Sequence, residues 1–207
     1  GKYIQVLDKR IHYIGDTPPE TAANERVYSG RRRLLLPGFF NAHSHTPMML
    51  MRGYGENMAL ADWLHQRIFP FENHLDDAAV YWSTLLGCLE MLRFGIVGTS
   101  DMYMRGDAMA RGFLAGGVKA NLSVGTSCFG DEAFADLPQA AETRALIAQY
   151  HNADDGRLRI DYSLHAEYTS TEKLARSIAE TAAASGLAMQ VHVAETAAEV
   201  SGCRERR

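Results

Sequence analysis

The feature that most constrains the fold is a regular alternation of short apolar runs and longer amphipathic stretches that begins near residue 36. Short apolar runs bounded by turn-forming residues are typical of buried strands, and apolar residues three or four positions apart are typical of helices. A chain that alternates between the two builds βαβ units around a parallel sheet. The sequence therefore predicts an α/β fold.

The same patterns predict where the elements lie. We expect strands near 36–43, 96–101, 118–124, 158–164 and 187–193, and helices near 59–69, 76–94, 105–115, 138–151 and 171–185. Thr169-Ser170-Thr171-Glu172 matches a capping box with Thr169 as the N-cap, and Gly186 is expected to end that helix. Its buried stripe is predicted to be Leu174, Ile178 and Ala182.

The first 36 residues have a different pattern, with short alternating stretches separated by turn-forming residues. We expect strands at 3–7, 10–14, 27–29 and 33–36. The sequence therefore predicts a small β domain over 1–36 and a second, α/β domain over 37–207.

Composition excludes several classes of partner. With 21 Lys and Arg against 25 Asp and Glu, the net charge is −4, so no basic field exists to bind a nucleic-acid polymer. Apolar runs such as 34–36 are far shorter than the roughly 20 residues of a membrane span, and the N-terminus does not have the form of a signal peptide. Three cysteines without a C-x-x-C pair indicate reduced thiols. We expect a cytoplasmic protein without a membrane partner.

Histidines close the polar faces of three predicted strands. Residues two apart share a strand face, and these faces end in His43 and His45, in His165, and in His192. In a (β/α)₈ barrel, catalytic groups come from the carboxyl ends of the strands. The four histidines are therefore predicted to form one constellation.

Each of these residues also has a simpler interpretation. His43-Ser44-His45 fits a metal site, since neutral imidazole is a common zinc ligand, but equally fits two histidines bonded to backbone carbonyls. His165 could be a buried histidine with one partner. Glu195 can reach the site only if the chain bends after the strand; otherwise it is a charge favoured at a helix N-terminus. Glu72 alone would be a solvated charge.

The resemblance becomes specific when the motifs are taken together. Leu36-Pro37-Gly38-Phe39-Phe40-Asn41-Ala42-His43-Ser44-His45-Thr46, followed by Met51-Arg52-Gly53, resembles the first metal-binding strand of the amidohydrolase superfamily. Further matching segments follow in order: Asp62-Trp63-Leu64, Phe69-Pro70-Phe71-Glu72, Glu90-Met91-Leu92, Asp101-Met102-Tyr103, His165-Ala166-Glu167-Tyr168 and Val191-His192-Val193-Ala194-Glu195-Thr196. The set resembles the branch of 5-methylthioadenosine/S-adenosylhomocysteine deaminases and chlorohydrolases.

This resemblance implies a (β/α)₈ TIM barrel of the metal-dependent hydrolase type, joined to a small β-sandwich to which residues 1–36 contribute. It implies His43, His45 and His192 as ligands of one divalent ion, zinc or sometimes iron. Glu195 would protonate a substrate ring nitrogen, and His165 and Glu72 would face the substrate.

The resemblance also implies a further histidine and an aspartate that follow later barrel strands. About five βα units lie within the 207 residues, so we expect this chain alone to be incomplete for catalysis. The expected activity is hydrolytic deamination of an aminated heterocycle, a small-molecule substrate of adenosine type, by a homo-oligomer. A chlorohydrolase, another C–N hydrolase, and a non-catalytic binding or scaffold protein remain alternatives.

One segment departs from the family pattern. The resemblance implies that members accepting S-adenosylhomocysteine tend to carry an arginine in the third barrel strand, in a segment like Leu-x-Arg-Gly. This chain has Leu122-Ser123-Val124-Gly125 at that place. The following loop, 126–132, contains two acids and no arginine. We therefore expect an uncharged substrate, such as 5′-deoxyadenosine, methylthioadenosine or a smaller heterocycle.

Overall fold

The structure is a computed structural model that describes residues 2–206. The chain divides into two compact units between Pro37 and Gly38.

The first unit contains a single β-hairpin. Strands β1 (Tyr3–Leu7) and β2 (Arg10–Gly15) pair antiparallel. Asp8 and Lys9 connect them with φ values of 47° and 64°, as expected of a two-residue turn that follows the twist of the strands. The strands predicted at 27–29 and 33–36 are wrong. Val27, Tyr28 and Leu34 are 80–81% exposed, so alternation there does not reflect a face packed against a sheet.

The second unit is an α/β fold with parallel strands, which confirms the predicted class. Its strands are β3 (Phe39–Ser44), β4 (Ile96–Tyr103), β5 (Lys119–Val124), β6 (Leu158–Ile160), β7 (Tyr162–Ala166) and β8 (Met189–His192). Its helices are α1 (Leu60–Trp63), α2 (Phe69–Glu72), α3 (Asp77–Arg93), α4 (Gly106–Gly116), α5 (Pro138–Tyr150), α6 (Ala153–Gly156), α7 (Glu172–Ser185) and α8 (Ala197–Arg206). A π-helical segment, Leu64–Ile68, joins α1 to α2, and 3₁₀ turns span Thr46–Met51, Phe134–Asp136 and Glu167–Thr169.

The strand predicted at 158–164 is divided in two because its neighbour changes. Strands pair in the order β3-β4-β5-β6, and β7 pairs separately with β8. At the junction, the Asp161 amide still donates to the Leu122 carbonyl at 2.8 Å, whereas the Tyr162 amide donates to the Ala188 carbonyl at 3.0 Å. The carboxyl ends of β3, β7 and β8 carry the four histidines singled out from the sequence.

Two apolar clusters hold the strands against the helices. The larger includes Val80 of α3, Phe113 of α4 and Leu122 of β5, all with no exposed surface. The smaller packs Leu164 of β7 against Leu174 and Ile178 of α7. The predicted stripe Leu174, Ile178 and Ala182 is buried, as the helical spacing requires.

The start of α7 corrects the predicted capping box. Thr171, not Thr169, is the N-cap, and its hydroxyl accepts from the Leu174 amide at 3.2 Å. The Thr169 hydroxyl instead lies 2.9 Å from Nδ1 of His165. Gly186 ends the helix with φ 69°, as predicted.

Among residues 2–206, none of the helices is both long enough and apolar enough to cross a membrane.

Candidate metal centre

The three predicted metal ligands lie close together. His43 lies near the end of β3, His45 just beyond it, and His192 ends β8. Nε2 of His192 lies 3.2 Å from Nε2 of His43 and 3.2 Å from Nε2 of His45. The three ligand atoms all lie within 4.8 Å of one another. Residues 149 positions apart in the chain therefore form one group that could hold a metal ion.

Backbone carbonyls fix which nitrogen of two rings faces the centre. Nδ1 of His192 lies 2.7 Å from the carbonyl oxygen of His165, and Nδ1 of His45 bonds to the carbonyl oxygen of Met102. A carbonyl only accepts, so each Nδ1 must carry the proton. In the neutral ring, Nε2 then carries a lone pair that faces the other histidines. A hydrogen bond from the second ring nitrogen to a carbonyl is the usual support of a metal-bound histidine.

The donor set fits a divalent ion. Zinc bound tetrahedrally at 2.0–2.1 Å would separate two ligand nitrogens by about 3.3 Å, close to the observed 3.2 Å. Burial and, to a smaller extent, the neighbouring histidines lower the pKa of His45 to about 4, although the Met102 carbonyl opposes the shift. Burial and His192 also lower the pKa of His43. In neutral rings, the Nε2 lone pairs of His45 and His192 face each other at 3.2 Å, an arrangement that a cation between them would stabilise.

A buried carboxylate holds the backbone that carries this pair of histidines. Asp101 of β4 is fully buried, and its Oδ2 accepts from the Ser44 hydroxyl and from both the amide and the hydroxyl of Thr46. The register of β3 against β4 shifts between Asn41 and Ser44, where these bonds begin. Sequence reasoning missed Asp101, because its partners are 55 and 57 residues away.

His165 lies beside the three ligands without being one of the group. Its ring and that of His192 are edge-to-face with centroids 5.0 Å apart. Its amide donates to the Thr126 carbonyl at 2.7 Å, which fixes its backbone, and burial followed by His192 lowers its pKa. The structure therefore places His165 at the edge of the cluster, with Thr169 as the ring's partner.

Glu195 reaches the cluster through the bend that its sequence position required. Ala194, two residues after the end of β8, has φ 60°, a left-handed backbone conformation. The Glu195 carboxylate accepts from the Tyr168 hydroxyl at 2.8 Å. The pKa values of His43 and His165 are lowered overall, and the negative charge of Glu195 partly opposes this lowering. Helix α8 begins at Ala197, so Glu195 is not in its first turn.

Glu199 is a second residue that sequence reasoning missed. Glu199 is 8% exposed, and its carboxylate accepts from the amides of Ala194 at 2.9 Å and Glu195 at 2.7 Å. The Thr196 hydroxyl accepts from the Glu199 amide at 3.0 Å. Thr196 therefore caps α8, and the Thr-x-x-Glu spacing is present in the sequence, but the Glu199 carboxylate bonds to the amides of Ala194 and Glu195 rather than to the Thr196 amide of a standard capping box.

Glu72 lies at the end of α2, with Tyr103 between it and the cluster. Burial raises the pKa of Glu72, and the nearby Tyr103 hydroxyl partly offsets this effect. The Tyr103 ring centroid is 6.3 Å from that of His45. Within residues 2–206, the buried Tyr103 hydroxyl has no well-formed hydrogen bond. Glu72 is therefore placed near the site, without a direct contact to the ligand histidines among the described residues.

Val124 does not face the cluster. Its side chain is buried in the larger core, and a Cβ added at Gly106 would meet it at 3.0 Å. The neighbouring Ser123 hydroxyl donates to the Asp101 carbonyl instead. Val124 thus provides no direct evidence about the substrate.

Comparisons with known proteins identify the family of this chain. The amidohydrolase family model matches residues 34–206. A 5-methylthioadenosine/S-adenosylhomocysteine deaminase of Moorella thermoacetica is 32% identical over 205 residues, covering 98% of this chain and 47% of the relative. A 5′-deoxyadenosine deaminase of Methanosarcina acetivorans is 34% identical over 205 residues, covering 98% and 46%.

Among solved structures, an adenosine deaminase from Xanthomonas campestris with bound zinc superposes with a TM-score of 0.79 at 24% identity, covering 99% of this chain and 47% of that chain. This likeness concerns the fold. The chain spans about half the length of the curated relatives it matches.

This chain has a parallel α/β unit and three histidines that could hold a metal ion. It belongs to the amidohydrolase family, which confirms the resemblance expected from the motifs.

Proposed function

We propose that this chain carries part of the active site of a metal-dependent deaminase that hydrolyses the exocyclic amine of an adenosine-type nucleoside or a similar heterocycle. The observation that carries the proposal is the convergence of His43, His45 and His192 with Nε2 separations of 3.2 Å. The names of the relatives support the choice of deamination.

The residues have separate roles in this proposal. His43, His45 and His192 hold one divalent ion. We propose zinc, because a structural neighbour contains bound zinc, with iron as the alternative. Such an ion, when bound, would lower the pKa of a water molecule at this position towards neutrality and so supply the nucleophile. Glu195, held by the Tyr168 hydroxyl, gives a proton to the ring nitrogen beside the amine-bearing carbon. His165 and Glu72 face the substrate.

The finer architecture is also a proposal. The five positions β3, β4, β5, β6–β7 and β8 form the first part of a (β/α)₈ barrel, over residues 37–207, and residues 1–36 form part of a small β-sandwich. The parallel order and the helix after each strand support the first assignment. A cytoplasmic location, a homo-oligomer, and the absence of nucleic-acid and membrane partners stay predictions.

The proposed substrate is uncharged at its 5′ substituent. Segment 122–132 provides no arginine or lysine for a carboxylate, and Asp131 in it is paired with Lys173 at 3.1 Å. The proposal therefore favours 5′-deoxyadenosine or methylthioadenosine over S-adenosylhomocysteine. A charged pair that is lost when its partner is buried changes affinity by about 2–5 kcal/mol, so a preference above about tenfold in kcat/KM is expected.

The test measures ammonia release by the whole protein loaded with zinc, on these three nucleosides. Glu195→Gln should abolish turnover and retain the metal, whereas His192→Ala should lose both. Chloride release from a chlorinated triazine, with no ammonia from any nucleoside, would replace the proposal with the chlorohydrolase alternative. Metal binding without any turnover would favour a binding protein.

A further inference from the structure

The turn that carries Glu195 is held in a conformation that its own residues do not favour. Ala194 has φ 60°, in the left-handed region where a Cβ approaches the following carbonyl oxygen. An alanine stays there only when surrounding contacts impose it. This turn brings Glu195 out of the line of β8 and against Tyr168.

Glu199 supplies the contacts that impose this conformation. One carboxylate oxygen accepts from the Ala194 amide and the other from the Glu195 amide, at 2.9 and 2.7 Å. Both oxygens are used on consecutive amides, and the side chain is buried. Charge-assisted bonds of this kind are about twice as strong as neutral ones.

We propose that Glu199 is a positioning residue, which fixes the place of the Glu195 carboxylate by holding the two consecutive amides of Ala194 and Glu195. This inference rests on the proposed function of Glu195 as proton donor. Glu199 itself does not touch the substrate and acts only through Glu195. The simpler alternative is that Glu199 caps α8 and affects stability alone.

The variants that separate these roles are Glu199→Gln and Thr196→Val. Glu199→Gln keeps the shape but turns an amide NH₂ towards a backbone amide, so one of the two bonds is lost. Thr196→Val removes the hydroxyl that accepts from the Glu199 amide at the start of α8, and it leaves both bonds to Ala194 and Glu195. The two variants therefore weaken the same helix end, but only one weakens the hold on Glu195.

In the whole protein, Glu199→Gln should lower kcat by about 10–100-fold, the usual effect of losing a supporting partner. KM and metal content should change little. Thr196→Val should retain kcat. Adding Ala194→Gly to Glu199→Gln should restore part of kcat, because glycine adopts positive φ without steric cost.

Hydrogen exchange gives a readout that does not depend on turnover. Amides 194 and 195 should exchange faster in Glu199→Gln and at the unaltered rate in Thr196→Val. If the unaltered protein turns over no nucleoside, the proposed function fails while the exchange rates still report whether Glu199 holds the turn. Equal kcat and equal exchange in the two variants would overturn the inference, as would a loss of kcat that Ala194→Gly does not relieve.

Discussion

Individual residues around the histidines are arranged so that the ligand atoms need little reorganisation. The carbonyls of Met102 and His165 each fix one ring, and Asp101 fixes the backbone between His43 and His45. The hydrogen bonds that orient the histidines therefore come from other residues. These residues lie on strands β4 and β7, while the histidines they orient lie at the carboxyl ends of β3 and β8.

Asp101 should make stability depend on pH in an unusual direction. Burial raises its folded-state pKa from 3.8 to about 6, although bonds from Ser44 and Thr46 oppose the shift. The folded state thus binds this proton more tightly than the unfolded state. The contribution to the free energy of unfolding is complete below about pH 4 and is lost as pH rises to about 6. Its size is about 3 kcal/mol, at 1.36 kcal/mol per pKa unit.

The measurement compares denaturant unfolding of the unaltered protein and Asp101→Asn after chelation of metal, from pH 4 to pH 7. Asparagine imitates the protonated carboxyl, whose proton would lie on the otherwise unpartnered Oδ1. The variant should gain stability relative to the unaltered protein as pH rises. A difference that does not change with pH would contradict the assignment.

The sequence was informative about residues on regular strands and silent about contacts between them. Strand alternation was enough to place His43, His45, His165 and His192 at neighbouring strand ends. It could not find Asp101, whose partners are distant in the chain. Glu199 was detectable in principle from Thr196-x-x-Glu199, but its contact with Ala194 depends on a positive φ that no local pattern predicts.

At the scale of elements, helices were predicted better than strand partners. Helices α3, α4, α5 and α7 begin and end within about two residues of their predicted bounds, because apolar spacing and caps are local signals. The break at Asp161 depends on which neighbour is available to each half of the strand. In the first unit, the alternating residues at 27–29 and 33–36 are exposed and do not form strands, so alternation alone was not sufficient to predict them.

The cap of α7 provides a test at this scale. Thr171→Ala should lower the free energy of unfolding by about 0.5–2 kcal/mol and speed hydrogen exchange at the first amides of α7, because the bond to the Leu174 amide is lost. Thr169→Ala is the matched control, since that hydroxyl bonds the His165 ring rather than the helix. Faster exchange of those amides in Thr169→Ala alone would restore the original capping assignment.

On the scale of the whole molecule, the parallel unit exposes apolar surface at both outer strands. Among the described residues, β3 pairs only with β4, and β8 only with β7. Phe39 and Phe40 on β3 are 58% and 67% exposed, and Val191 and Val193 near β8 are 43% and 68% exposed. Unpaired edges with apolar side chains promote strand addition from another chain.

A polypeptide of these 207 residues alone should therefore self-associate. Its average mass in sedimentation should rise with concentration, and Val191→Lys with Val193→Lys should shift the distribution towards monomer, because charges at a strand edge oppose pairing. The matched control is Val27→Lys with Tyr28→Lys, which adds the same two charges at 80% and 81% exposed positions outside the strands. If the edge variant and the control sediment alike, association does not use the β8 edge. If the unaltered polypeptide stays monomeric at every concentration, the exposed strands are not sufficient to drive association.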